Sequence, residues 1–96
     1  MSKVKIIGET SIDKKKLEDN VVQLIKARLM SIKNELEEID KDLIYFSRRY
    51  EMDSDEFIKK FNEGTIGDEE DYFIWEGSLK VRNKLLEEQR NLSEIV

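Results

Sequence analysis

The feature that most constrains this chain is an unbroken series of apolar side chains spaced alternately three and four residues apart. The series comprises Val22, Ile25, Leu29, Ile32, Leu36, Ile39, Leu43, Phe46 and Tyr50. Neither glycine nor proline occurs between residues 13 and 51, so no helix breaker interrupts it. The spacing predicts one long helix with a narrow apolar seam, as in coiled coils and helical hairpins. At 1.5 Å per residue the helix would be roughly 55–58 Å long.

Capping residues mark where this helix and two further helices begin and end. Asp13 is the predicted N-cap of the long helix, and Asp68 the predicted N-cap of the last one. Asp53 and Glu56 have capping-box spacing at the start of a short middle helix, and Gly64 is suited to the left-handed position after its end. The predicted helices cover about residues 13–51, 54–62 and 69–94.

Taken together, these elements predict an all-α fold in which the two long helices form an antiparallel hairpin or coiled coil. Residues 13–96 form a single helical domain, and residues 1–12 a short strand or arm that needs another strand to pair with. So few helices bury little surface, which favours a homodimer or higher homo-oligomer. Whether the long helix pairs within its own chain or with a second copy is left open. The predicted oligomer seam is Ile25, Leu29, Ile32, Leu36, Ile39 and Leu43.

The composition excludes most catalytic machinery. The chain has no histidine and no cysteine, which rules out imidazole bases, thiol chemistry and zinc or iron–sulfur sites. The acids from Asp68 to Asp71 are the best candidates for a Mg²⁺ or Ca²⁺ site, but acids in the first turn of a helix are favoured by the helix dipole. We therefore predict no catalytic residue, no metal and no cofactor.

Charge is divided unevenly along the chain. Residues 1–33 hold eight basic and four acidic side chains, a net of +4, whereas residues 34–96 hold nine basic and eighteen acidic ones, a net of −9. Such asymmetry suggests that the two ends face different partners. A solvated helix face explains the basic part adequately, and DNA is the alternative partner. The candidate phosphate contacts are Lys3, Lys5, Lys14, Lys15 and Lys16.

All eight aromatic residues lie between residues 45 and 75. A small core at a bend in the chain accounts for most of them, but the cluster exceeds what one bend needs. Because aromatic anchors and complementary charges dominate many interfaces, some of this segment is expected to face a partner protein. The predicted partner-binding residues are Phe57, Phe61, Asp68, Asp71, Tyr72 and Trp75.

Part of the same segment resembles a known family. Residues 50–57 (Tyr-Glu-Met-Asp-Ser-Asp-Glu-Phe), then Phe61, the Gly64-to-Asp68 turn, Asp71 and Trp75 are similar to the Y-x-M-S-x-x-E-F…G-x-x-G-D…D-x-x-x-W segment of small prokaryotic proteins encoded beside toxins and treated as antitoxins. The resemblance covers about residues 43–92. This chain departs from the pattern at Glu51, where glycine is usual, and in its N-terminal strand.

The resemblance implies a type II antitoxin, a non-enzymatic protein that neutralises a small toxin, often a ribonuclease, by binding it, and that often binds operator DNA as well. A homodimeric coiled-coil scaffold or adaptor is the alternative. A third possibility is an all-α Mg²⁺-dependent nucleoside-triphosphate pyrophosphohydrolase, since Glu35 and Glu38 have a similar i, i+3 spacing of acids. With no apolar run of membrane-spanning length and no signal peptide, the chain is expected to be soluble and cytoplasmic.

Overall fold

The chain folds into three α-helices in a computed structural model that describes residues 11–96, with side chains from Asp13 onward. Helix α1 spans Ser11–Tyr50, α2 spans Ser54–Glu63 and α3 spans Glu70–Ser93. Helix α3 runs back along α1, and the molecule is 62 Å long. The predicted all-α fold with a helical hairpin is therefore confirmed. Most of the predicted N-terminal strand, including Lys3 and Lys5, lies outside the described residues.

The start of α1 differs from the prediction. The helix already includes Ser11, so Asp13 lies in its first turn and is not its N-cap. An acid there is still favourable, because the partial positive charge of the helix N-terminus extends over the first turn.

The junction between α1 and α2 agrees with the prediction. The Glu56 amide donates a 2.8 Å hydrogen bond to Asp53 Oδ1, which caps α2. Glu51, between the two helices, has a φ of 53°, in the left-handed region that favours glycine.

The junction between α2 and α3 agrees only in part. Gly64 ends α2 with a φ of 73°, and its amide donates to the Lys60 and Phe61 carbonyls, as predicted. The N-cap of α3, however, is Glu69, which makes no side-chain capping bond. The prediction that Asp68 caps α3 is wrong, because the chain remains extended for one residue more.

The seam of α1 packs against α3 of the same chain. Ile32 is fully buried and Leu85 of α3 nearly so, while the other seam residues are half-buried. Two ion pairs flank this apolar contact. The Arg28 guanidinium donates two hydrogen bonds to the Glu88 carboxylate, at 2.7 and 2.9 Å, and Arg82 donates one to Asp40 at 3.0 Å. The long helix thus pairs within its own chain, which decides the question that the sequence left open.

Helix α1 is much longer than α3, and its first turns extend beyond the hairpin. The last turn of α3 lies beside Lys26 and Leu29, since these residues and Ser93 line one groove. We call the part of α1 before that point, Ser11 to Leu24, the overhang. It is about 21 Å long.

Candidate partner-binding site

The bend of the hairpin is built around an aromatic stack. Trp75 and Phe57 are fully buried and lie face to face, with ring centroids 4.0 Å apart and planes inclined by 2°. Phe46 also stacks on the Trp75 ring, with centroids 5.6 Å apart, and Tyr72 packs against Phe57 with centroids 5.9 Å apart. One ring from α1, one from α2 and two from α3 therefore share a single core. We call Phe46, Phe57, Tyr72 and Trp75 the elbow core.

The buried indole N–H of Trp75 has a hydrogen-bond acceptor within the chain. Trp75 Nε1–H donates a 3.1 Å hydrogen bond to Ser54 Oγ at the first residue of α2. A buried indole N–H without an acceptor would be destabilising. The bond therefore fixes the start of α2 against α3.

This arrangement corrects part of the predicted binding site. Phe57, Tyr72 and Trp75 are inside the elbow core, so the prediction that they anchor a partner is wrong. Tyr72 and Trp75 pack against rings of α1 and α2, and Phe57 packs against rings of α3, which removes all three from the surface. Asp71 is also engaged within the chain, whereas Phe61 and Asp68 remain accessible at the surface.

Asp71 belongs to a polar network beside the core. The Tyr50 hydroxyl donates to Asp71 Oδ2 at 2.7 Å and lies 3.1 Å from Glu69 Oε2, while Arg49 Nε donates to the same hydroxyl oxygen at 3.2 Å. The hydrogen bond to Asp71, assisted by partial burial, raises the pKa of Tyr50 to about 12. This network joins the end of α1 to the start of α3.

Because the pKa of Tyr50 is higher in the folded state than the unperturbed value of about 10, its contribution to stability is present below pH 10. That contribution should be lost as the pH rises from 10 through about 12, where the unfolded chain holds fewer protons than the folded one. Urea unfolding at several alkaline pH values should show this decline. Tyr50→Phe is the matched control, and an equal decline in that variant would contradict the assignment.

The exposed part of the bend combines apolar and acidic side chains. Phe73 is 56% exposed and packs edge-on against the half-buried Phe61, with centroids 5.8 Å apart. Asp68 and Glu70 are exposed in the adjoining segment, and Glu70 lies one turn before Phe73. We call Phe61, Asp68, Glu70 and Phe73 the elbow surface.

Phe73 is the residue that the sequence prediction missed. The apolar positions of α3 trace two neighbouring faces, one through Ile74 and Val81 and one through Tyr72 and Trp75. Phe73 belongs to neither face, and that mismatch is the signal that could have identified it as exposed. On the first of these faces, Ile74 and Val81 are also about half exposed.

An open groove of ≈ 700 Å³ lies beside the elbow core, where all three helices meet. Leu43, Ile58 and Leu79 line it with apolar surface, and Arg48 and Asp55 stand among its polar residues. Neither of these two charged side chains takes part in an ion pair of the described residues. Such a lining can receive an apolar side chain of another molecule.

The other end of the hairpin carries positive charge. A groove of ≈ 490 Å³ between the two long helices is lined by Lys26, Lys33 and Arg90 together with Leu29 and Met30. No carboxylate lines this groove, and none of its three cations takes part in an ion pair of the described residues. We call it the basic groove. The nearby Arg28, by contrast, is neutralised by Glu88, whose own pKa is lowered by that hydrogen bond.

In the part of the chain that the structure describes, no group of three or more acidic side chains is arranged to hold a metal ion. No described helix is both long and apolar enough to cross a membrane. Comparison with known proteins finds no matching protein-family model, no matching curated protein and no matching solved structure.

Proposed function

We propose that this protein is a non-enzymatic, antitoxin-like binding protein that neutralises a small toxin, such as a ribonuclease, by covering its active site. The elbow surface is the part that makes this contact. Phe73 supplies the apolar anchor, supported by Phe61, and Asp68 and Glu70 face basic side chains of the toxin.

The observation that carries this proposal is the exposure of Phe73 beside a core that is complete without it. The elbow core already contains four rings and its indole N–H is bonded, so Phe73 is not needed to fill it. A large aromatic side chain that stays exposed next to unpaired acids is typical of an interface anchor with a charged rim. Ribonucleases need positive charge to bind RNA, and an acidic surface is complementary to such a site.

The test is co-expression with the product of the neighbouring open reading frame. We expect that product to inhibit growth when expressed alone and to be neutralised and co-purified by this protein. Full toxicity in the presence of the folded protein would contradict the proposal. Absence of toxicity combined with a stable homodimer would instead favour a coiled-coil scaffold or adaptor.

The basic groove favours DNA as a further partner of the same protein. Its three cations have no carboxylate neighbour in the groove, and the exposed side chains of Lys14, Lys15 and Lys16 lie on the overhang at the same end of the molecule. Phosphate contacts by unpaired Lys and Arg release counterions, which makes binding strongly dependent on salt. Binding to operator DNA would leave the elbow at the far end free for the toxin.

Replacing Lys26 and Lys33 together by glutamine should weaken binding to duplex DNA from the protein's own promoter. The slope of log K against log salt should fall by about 2, since each lost phosphate contact removes about 0.9 from the slope. Fluorescence anisotropy at several salt concentrations measures this. Lys59→Gln together with Lys60→Gln, on α2, is the matched control, and an equal loss in both variants would contradict a role for the groove.

A further inference from the structure

The overhang carries an apolar stripe that no described part of the chain covers. Leu17 and Val21 are each 45% exposed, and Leu24 is 70% exposed. Their spacing of four and three residues places them on one side of α1. The next residue on this side of α1 is Arg28, which is hydrogen-bonded to Glu88 of α3. The stripe thus begins where the intramolecular partner helix ends.

The end of α3 and the overhang together form a step. Over about 21 Å, α1 lacks the antiparallel neighbour that it has along the rest of its length. Ile95 and Val96, just after α3, are 65% and 47% exposed at the base of this step. What the step lacks is one short amphipathic helix running in the direction of α3.

We propose that the overhang of a second copy of this chain fills the step. The two overhangs lie antiparallel about a twofold axis, and each continues the line of the other copy's α3. This proposal specifies the interface of the predicted homodimer. It rests on the proposed function only where it concerns DNA binding. Because each step is as long as the overhang that fills it, residue 11 of one copy lies beside residue 24 of the other. The twofold axis then passes near Leu17 and Glu18.

This register is compatible with the side chains of both copies. Leu17 of one helix meets Leu17 and Val21 of the other at the centre of the contact, and Leu24 lies towards each end of it. Lys14 and Glu18 lie on one flank of the stripe, one turn apart. The twofold places Lys14 of each copy within one turn of Glu18 of the other, so opposite charges meet on that flank.

The size of the contact predicts how strong the association is. Two helices of about 10 Å diameter that overlap for about 21 Å bury on the order of 700–1,000 Å² in total, less than the ~1,200 Å² at which specific stable interfaces begin. The dimer should therefore dissociate on dilution, with a Kd of roughly 1–100 µM.

The dimer also explains the position of the basic groove. In an antiparallel pair related by a twofold, the two basic grooves face the same side. Their centres, near residues 29–30 of each α1, are then about 36 Å apart along the axis. One turn of B-DNA is about 34–36 Å. The two grooves of a dimer can therefore contact one face of a duplex at successive turns, while the two elbows lie at the far ends.

The chain has no cysteine, so single cysteines report the register directly. Leu17→Cys places two thiols beside the twofold axis and should give a disulfide-linked dimer under mild oxidation. Leu24→Cys is the matched control, because its two copies would be about 20 Å apart and should stay unlinked. Linking of Leu24→Cys but not of Leu17→Cys would overturn the proposed register.

The association itself is measured by sedimentation velocity between 1 and 300 µM without DNA. We expect a concentration-dependent dimer in the natural protein and at least a tenfold weaker one in Val21→Lys. Met30→Lys, at an exposed apolar position outside the stripe, should dimerise as the natural protein does. Circular dichroism confirms that both variants are folded. A monomer at every concentration would overturn the proposal, and would leave the elbow's toxin contact unaffected.

Discussion

Replacing Trp75 by alanine is expected to lower the free energy of unfolding by about 3–5 kcal/mol. Trp75 is the largest fully buried side chain and contacts rings from α1 and α2. Its removal leaves a cavity between three helices and leaves Ser54 Oγ without its donor. Since small domains have roughly 5–15 kcal/mol of stability in total, this variant should be partly unfolded at 37 °C.

The effect is measured by urea unfolding followed by far-ultraviolet circular dichroism, because the variant lacks the chain's single tryptophan. Two control variants separate the causes. Trp75→Phe keeps a ring in the stack but loses the hydrogen bond, and should cost less than the alanine variant. Phe73→Ala removes an exposed ring and should change stability by less than about 1 kcal/mol. A loss below 1 kcal/mol in Trp75→Ala would mean that the elbow core is not the centre of stability.

The same Phe73→Ala variant is expected to have the largest effect on binding. If Phe73 is the anchor of the elbow surface, its truncation should weaken affinity for the toxin by about 30-fold or more, equivalent to about 2 kcal/mol. Its small effect on stability means that the lost affinity cannot be attributed to unfolding. Titration calorimetry with a catalytically inactive toxin variant measures the change.

Charge reversal separates the apolar and the electrostatic parts of this contact. Asp68→Lys with Glu70→Lys should mainly slow association, and the difference from the natural protein should shrink at high salt. Met30→Ala, an exposed apolar residue beside the basic groove, is the control and should leave affinity unchanged. An unchanged affinity in Phe73→Ala would place the toxin contact elsewhere on the molecule.

The helices could be predicted because their causes are local. The three-and-four spacing from Val22 to Tyr50 sets the buried side of α1, and a capping carboxylate or a left-handed glycine acts on residues within one turn. Asp13 and Asp68 are wrong as N-caps, but the predicted starts of α1 and α3, near residues 13 and 69, lie within two residues of the observed starts, Ser11 and Glu70. At such positions neighbouring residues compete for the same role, and the difference in free energy between them is small.

The elbow surface could not be predicted in the same way. Helical spacing places Phe73 off the two apolar faces of α3, but it does not show that Trp75, which lies on one of those faces, is fully buried. The ring of Trp75 is buried because α1 and α2 supply Phe46 and Phe57 to stack against it, from positions 29 and 18 residues away in the chain. Among the described rings, Phe73 contacts Phe61 alone, edge-on, and it stays 56% exposed.

The amino-acid sequence by itself therefore determined the three helices, the apolar seam and the division of charge between the two ends, because each follows from spacing within a few residues. Only the tertiary structure decided that α3 covers the seam, that the bend buries Phe57, Tyr72 and Trp75, and that the overhang and Phe73 stay exposed. Whether a side chain is buried depends on where the helices cross and on how far each helix extends. Helix α3 is sixteen residues shorter than α1, so it leaves the overhang uncovered.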